Sequence, residues 1–328
     1  MHPTMKYYFI NLFLLFIVTP SFGQENKDAA FYIDSLGNIS EEVNYKFIRT
    51  VKEYYVEKKE YQFSDYYKSG QVALTGNTKD RDRIRLDGTA VSFYENGTKK
   101  QISNYNNSCL EGKQFQWYDN GVLQFEKEFT FDKIKNESIE KLLQYWDSNN
   151  LQQIINGNGM YDALIENDSE GIEQKNSVYE KGEIKNGYKH GVWTGNSSHP
   201  KITFEEEYEN GKLITGTSTD DNNTQYIYTE VRQKPTPKTG INDFYKYVGR
   251  NFKTPNIQGL SGKIYVTFIV DREGKLVETR ILRDIGFGTG AEALRIIKEA
   301  KNWIPGKIRG IPVRFFYSLP ITIRAPQY

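Results

Sequence analysis

The sequence predicts a mainly β protein with an α+β C-terminal domain, that is, a sheet of repeated β-hairpins followed by a two-layer α/β domain. Three observations carry that expectation. A phrase of two aromatics, an acidic residue, Asn and Gly recurs along the chain. Aromatics make up 14% of the residues, with 24 Tyr and 19 Phe, and such side chains suit pleated, half-buried surfaces. Near the C-terminus, apolar residues recur at three and four residue steps and then alternate strictly, the signatures of a helix and a strand. The 328 residues allow two ordinary domains, each with a core of its own.

In chain order, Lys6 precedes the apolar run Tyr7 to Val18, then Pro20 and the small-x-small site Ser21-Phe22-Gly23. This reads as a secretory signal peptide over residues 1–23. The run includes Asn11 and falls short of the roughly 20 apolar residues that a spanning helix needs. Left uncleaved, the same segment would be an anchor. The mature protein is expected to be exported, periplasmic or cell-envelope associated in a bacterium. Membrane contact is then expected only through partners or through an uncleaved N-terminal segment.

The repeat comes next. Phe93-Tyr94-Glu95-Asn96-Gly97 returns as Trp117-Tyr118-Asp119-Asn120-Gly121, and Asp87-Gly88 returns as Glu111-Gly112 at the same offset. Chance recurrence is improbable. Looser copies are Tyr66-Tyr67-Lys68-Ser69-Gly70, Tyr145-Trp146-Asp147-Ser148-Asn149 and Tyr208-Glu209-Asn210-Gly211, with Gly182 to Trp193 between the last two. Asn-Gly flanked by alternating aromatic and aliphatic residues predicts a hairpin with positive φ at both turn residues. A lone hairpin is marginal in water, so the copies are expected to stack into a long single-layer or gently curled sheet. Over about residues 60–215 the pattern resembles MORN-like repeats. Asp132 to Asn150 breaks the rhythm, because Ile134, Ile139, Leu142, Leu143 and Trp146 recur at near-helical spacing, and a short helix is expected there. The repeat domain is thus bounded at 24–228.

Residues 229–240 hold Pro235 and Pro237 among Lys, Arg, Gln and Thr without apolar periodicity, which predicts a semi-rigid linker. The C-terminal domain covers 241–328. Phe244, Tyr247, Val248 and Phe252 predict an amphipathic helix over Ile241 to Phe252, ended by Pro255. Ile264, Val266, Phe268 and Val270 share one face of a strand over Gly262 to Asp271, and burying them contributes on the order of 6–12 kcal/mol gross. Asp271-Arg272-Glu273-Gly274 is a turn leading into a returning strand, Lys275 to Asp284. A second helix is expected over Thr289 to Asn302 and a last strand over Val313 to Arg324.

This order, together with Trp303-Ile304-Pro305-Gly306-Lys307, Gly310-Ile311-Pro312-Val313 and Leu319-Pro320-Ile321, resembles the TonB C-terminal domain. Phe268-Ile269-Val270-Asp271 with Gly274, and Ala291-Glu292-Ala293-Leu294-Arg295, stand at the family's expected places. The family often carries Tyr-Pro ahead of the first strand, and Thr254-Pro255 departs from it. The resemblance implies that the domain catalyses nothing and binds a protein partner, such as an extended outer-membrane receptor segment, by adding a strand to the free edge of its last strand. Around six backbone hydrogen bonds at roughly 1 kcal/mol each fall short of the 8.2 kcal/mol of a micromolar complex, so side chains must supply the rest. The partner-binding candidates are Val313, Arg314, Phe315, Phe316, Tyr317, Ser318, Leu319, Ile321 and Ile323. Pro320 has no N–H to donate, so it belongs at an outward-facing position or a bulge. An energy transducer of this kind needs a membrane anchor and a long spacer, whereas a linker of about 12 residues at roughly 3.1 Å each spans only about 37 Å.

Other chemistry finds little footing. The 43 Lys and Arg against 42 Asp and Glu leave no cationic excess for nucleic acid. Cys109 is the only cysteine, which excludes an intrachain disulfide and cysteine metal clusters. Gly286-x-Gly288-x-Gly290 lacks the spacing and the lysine of a phosphate loop and reads as a flexible turn, so no cofactor is expected. His190 and His199 are too few for a metal site, and no nucleophile elbow occurs; no enzyme is expected. Asp80 to Asp87 alternates in sign and reads as a solvated loop or edge strand. The expected function is an exported TonB-like binding protein that recruits envelope or outer-membrane partners, as a component of energy-coupled transmembrane transport in one version. The alternative is a MORN-repeat scaffold or antitoxin-like interaction protein with no transport role.

Overall fold

The computed structural model describes residues 27–34, 37, 39–40, 42–43, 45–134, 137–167, 176–300 and 303–324. The expected signal peptide lies outside them. Among the described residues, seventeen strands from Ala29–Ile33 to Gln225–Tyr228 form one sheet in which each strand lies antiparallel to the next along the chain. Only the two-residue strand Cys109–Leu110 shares its partner, Lys99–Asn106, with Gly112–Trp117.

Three copies of the repeat phrase make a different turn from the one that Asn-Gly predicts. In the copies ending at Gly70, Gly97 and Gly121 only the glycine has positive φ (84–85°). The glycine N–H bonds the carbonyl of Tyr67, Tyr94 or Tyr118 in turn, and the pairing slips by one residue just before it. This is a turn closed by a glycine bulge. Asn96 and Asn120 stay out of the left-handed region because their side chains accept the N–H two residues on, from Thr98 and Val122. The predicted two-residue turn with both φ positive forms in two of the looser copies, at Asn186-Gly187 and Asn210-Gly211, and also at Asn156-Gly157.

The phrase also ties copy to copy. The Tyr67 hydroxyl donates to the Phe93 carbonyl, Tyr94 to Trp117 (both 2.8 Å) and Tyr118 to Trp146 (3.1 Å). Asn96 and Asn120 donate onward to Asp119 and Ser148 carbonyls. The turn bonds place Asp147 at the tyrosine position and Asn150, with φ 64°, at the glycine position of the next copy. Further along, rings lie across glycines. A Cβ on Gly182 would stand 2.4 Å from the Trp193 ring, one on Gly195 2.4 Å from Phe204, and one on Gly216 2.4 Å from Tyr228. Leu142, Tyr145, Ile154, Ala163, Ile184, Trp193 and Tyr208 form one buried cluster across these strands.

Among the described residues of Asp132 to Asn150 the expected short helix does not form. The chain there is the strand Glu137–Trp146, paired with Leu123–Asp132. Its pairing shifts between Leu142 and Gln144, and a bulge reverses the alternation of faces. Leu142 and Tyr145 are therefore both buried at a spacing of three, which imitates a helical period.

The C-terminal region contains helix α1 (Ile241–Asn251), strands Ser261–Val270 and Leu276–Arg283, helix α2 (Thr289–Glu299) and the last strand Phe315–Arg324. Ser261–Val270 lies in the middle of the three-stranded sheet. Both helices cover one face, where Phe244, Val248, Ala293, Ile296 and Ile297 pack on Ile264, Val266, Phe268, Val270, Leu319, Ile321 and Ile323. Trp303 completes this core, 5.1 Å from Phe244, 5.7 Å from Phe268 and 5.3 Å from Tyr317 between ring centroids. The stretch expected to be a linker is pinned by pairing. Arg232 and Gln233 pair with Ile308 and Lys307, and Thr236 and Pro237 with Ile304 and Trp303. Without apolar periodicity these four residues give no strand signal, because their ladders are only two residues long.

Candidate protein-binding edge

The two margins of the C-terminal sheet differ. Phe315–Arg324 pairs residue for residue with Ser261–Val270 over ten positions without a shift. On its far side no strand pairs with it among the described residues. At the opposite margin, Leu276–Arg283 slips register twice against the middle strand, and Glu278 takes φ 51°. Bulges of that kind blunt an edge against further pairing. One margin is thus irregular and the other is a straight row of main-chain groups.

The expected contact residues divide by position. Phe316 and Ser318 are exposed, Phe316 at 70%. Leu319, Ile321 and Ile323 are buried beneath the helices. Tyr317 is half-buried, its ring stacked on Phe268 at 5.2 Å, and burial first, then the neighbouring Tyr245, pushes its phenol up from the ordinary value. Phe315 is buried over Gly306, with the Arg232 guanidinium 5.1 Å from its ring. It anchors the start of the strand. Val313 and Arg314 fall outside the strand, correcting its expected start. The Val313 N–H is used on the Gly306 carbonyl at 3.0 Å, and Arg314 pairs with Glu278.

A neighbouring cluster escaped the sequence reading. The turn between Lys307–Ile308 and Ile311–Pro312 carries Arg309 at φ 47° into the repeat sheet. Its Nε donates to Glu206 Oε1 at 2.8 Å, and its guanidinium lies 3.6 Å from the Phe204 ring centroid. The Arg309 carbonyl accepts from Ser218 Oγ at 2.6 Å and its N–H donates to Val231 at 2.8 Å. Tyr228 and Tyr208 hydroxyls complete the Glu206 carboxylate at 2.8 and 2.9 Å. Burial, and then the Glu206 charge, push both phenols up, so they remain protonated donors. The side chain of Glu206 is 0% exposed. A buried charge is tolerated only when paired and hydrogen-bonded, and here Tyr208 comes from the same strand while Tyr228 and Arg309 come from elsewhere in the chain. Glu206 could have been suspected from the run Ile202-x-Phe204-x-Glu206-x-Tyr208, which puts an acid on an otherwise apolar face; nothing local marks Arg309.

The glycine-rich turn before α2 is closed by its own acid. Asp284 accepts from the Gly286 N–H and the Thr289 hydroxyl, at 3.1 and 2.6 Å. These bonds hold its carboxyl below the usual carboxylate range. Asp80 to Arg85 is a loop that closes on Thr78, whose Oγ accepts the Arg85 N–H at 2.8 Å.

Two segments match the MORN repeat variant. They are residues 86–107 and 110–130, and each coincides with one hairpin, Leu86–Phe93 with Lys99–Asn106 and Gly112–Trp117 with Leu123–Asp132. The chain therefore carries MORN repeats within its large antiparallel sheet. Comparison with curated proteins gives no match.

Proposed function

We propose that the protein is an exported binding protein whose C-terminal domain, TonB-like in its order of elements and motifs, recruits a protein partner of the bacterial envelope by adding a strand to Phe315–Arg324. The observation that carries this reading is the contrast between the two margins of one sheet. Ten regularly paired residues have no described strand on their outer side, while the other margin is bulged. Exposed edges are either blunted or used. Side chains that an incoming strand meets first are Phe316 and Ser318 on the open face and Tyr317 and Tyr245 on the helix side. The role of the repeats in this reading is to hold the domain, through Arg309 and Glu206, on a sheet long enough to set it apart from its surroundings.

A photo-crosslinker at Phe316, irradiated in the native envelope and read by mass spectrometry, is expected to capture one discrete protein. The capture should depend on an intact edge. Amide exchange supplies the decisive control: if Phe315–Arg324 is protected on alternate residues of both sides in the isolated protein, the edge is already occupied and the reading fails. The scaffold alternative predicts that the repeat sheet, probed at Ile227, captures the same partner when Phe315–Arg324 carries a second proline.

A further inference from the structure

The open face of the C-terminal sheet is cationic. Its three strands carry Lys263, Arg280, Arg283 and Arg324, all exposed, against a single acid, Glu278, which is paired with Arg314. Among the described residues none of the four cations is ion-paired. The register lines them up. Thr322 lies opposite Lys263, Pro320 opposite Tyr265 and through it Arg283, and Ser318 opposite Thr267 and through it Arg280. Arg324 faces Ser261 at the end. The remaining row, Phe316, Ile269 and Val277, is apolar. The asymmetry extends to the chain as a whole. Residues 241–328 hold fifteen Lys and Arg against seven Asp and Glu, whereas residues 24–228 hold 24 against 34.

We infer that the segment added at Phe315–Arg324 is an acidic peptide strand, with carboxylates at alternate positions facing Lys263 and Arg324 and an apolar residue at the Phe316 end. The inference rests on the strand-addition reading above and specifies its partner. Spacing decides which cations touch it. An incoming strand lies about 4.8 Å beyond the last strand, so the middle strand is about 10 Å away and the third about 14 Å. Lys263 reaches across one strand to meet a glutamate reaching back, and Arg324 is an immediate neighbour. Arg280 and Arg283 stand beyond the screening length of about 8 Å at physiological salt. They attract the peptide on approach and add little once it is bound.

The test uses the full mature chain and a fluorescein-labelled nonapeptide that alternates valine with glutamate, beside the same peptide with glutamine or lysine in place of glutamate. Anisotropy at low salt is expected to show the glutamate peptide binding roughly three- to tenfold tighter than the glutamine peptide, the sum of two exposed ion pairs. The gap should close at 0.5 M salt and in a Lys263→Gln, Arg324→Gln double variant. Arg280→Gln with Arg283→Gln should slow association and leave dissociation unchanged. Equal binding of glutamate and glutamine peptides, with Phe315–Arg324 amides protected by both, overturns the acidic preference and leaves strand addition standing. Binding of neither peptide, or retention on phosphatidylglycerol vesicles that abolishes the difference between peptides, overturns both the preference and the peptide as the occupant of this face.

Discussion

The repeat sheet and the C-terminal domain solve the burial of a sheet face in opposite ways. In the C-terminal domain two helices close one face, and Ile264, Val266, Phe268, Val270, Ile296 and Ile297 reach 0% exposure. In the repeat sheet neighbouring strands cover each other, rings lying over glycines and hydroxyls reaching the next hairpin. The difference teaches where each region keeps its specificity. A helix-covered core depends on volume. A single-layer array depends on polar bonds repeated at intervals and on glycines that leave room for a ring.

The largest expected effect breaks the seam between the two. Arg309→Ala strands the Glu206 carboxylate in a buried site, and losing one partner of a buried pair costs about 3–5 kcal/mol. Scanning calorimetry should then resolve two transitions where the intact protein gives one, and residues 229–240 should become open to protease. Arg309→Ala with Glu206→Gln should recover part of the loss, because no charge is left unpaired. A single unchanged transition in the Arg309 variant would show that the regions are held by other means.

Next, Trp303→Ala empties the centre of the C-terminal core, at a cost of about 3–5 kcal/mol by chemical denaturation. Trp303→Phe should cost clearly less. The indole Nε1 is buried with no hydrogen-bond partner among the described residues, so the loss is expected to be chiefly one of packing.

Gly195→Ala tests the other strategy. The added carbon would stand 2.2 Å from the Tyr179 carbonyl oxygen and 2.4 Å from the Phe204 ring, and relieving such overpacking costs about 1–3 kcal/mol. Because Phe204 supports Arg309, the variant should loosen the seam as well, visible as faster amide exchange at Arg309 and Gly310.

How much of this was readable from residues alone follows the same divide. Strictly alternating strands and amphipathic helices declare themselves because each is one period repeated, so the helices over Ile241 and Thr289 and the central strand emerge within a few residues of their bounds. The bulge at Leu143 hid a strand behind a false helical spacing. The Asn-Gly phrase pointed to hairpins, and its turn type holds at Asn186 and Asn210 but not at Asn96 and Asn120, where a local side-chain bond to Thr98 or Val122 leaves only the glycine left-handed. Of the edge residues, alternation along one strand is enough to sort an inward from an outward set, whereas the withdrawal of Val313 depends on a carbonyl at Gly306 that only the folded chain brings near. The Arg309 seam joins residues about a hundred positions apart and has no local signature at all.

A smaller effect concerns acid. In the C-terminal domain Glu292 accepts Arg295 Nη2 at 2.6 Å and the Lys253 N–H at 2.8 Å, and the Arg295 bond foremost lowers its pKa to about 2. A carboxylate held down in this way stabilises the fold above its unfolded value near 4.3, and that contribution is lost as pH falls towards 2. Glu292→Gln should flatten the melting temperature over that interval and leave it unchanged in shape above pH 6. The smallest effect is Tyr94→Phe, which deletes one hydroxyl bond to Trp117 and costs about 1 kcal/mol. Tyr118→Phe should match it, if the copies are equivalent.

The tyrosine hydroxyls give the array a direction. Tyr67, Tyr94 and Tyr118 each donate to the successor, and the relay stops where Asp147 replaces the phenol. Duplicating or excising one whole copy therefore hands every hydroxyl an equivalent receiver. Any other length change leaves a donor facing the wrong atom, so such proteins can lengthen or shorten in evolution only by complete units.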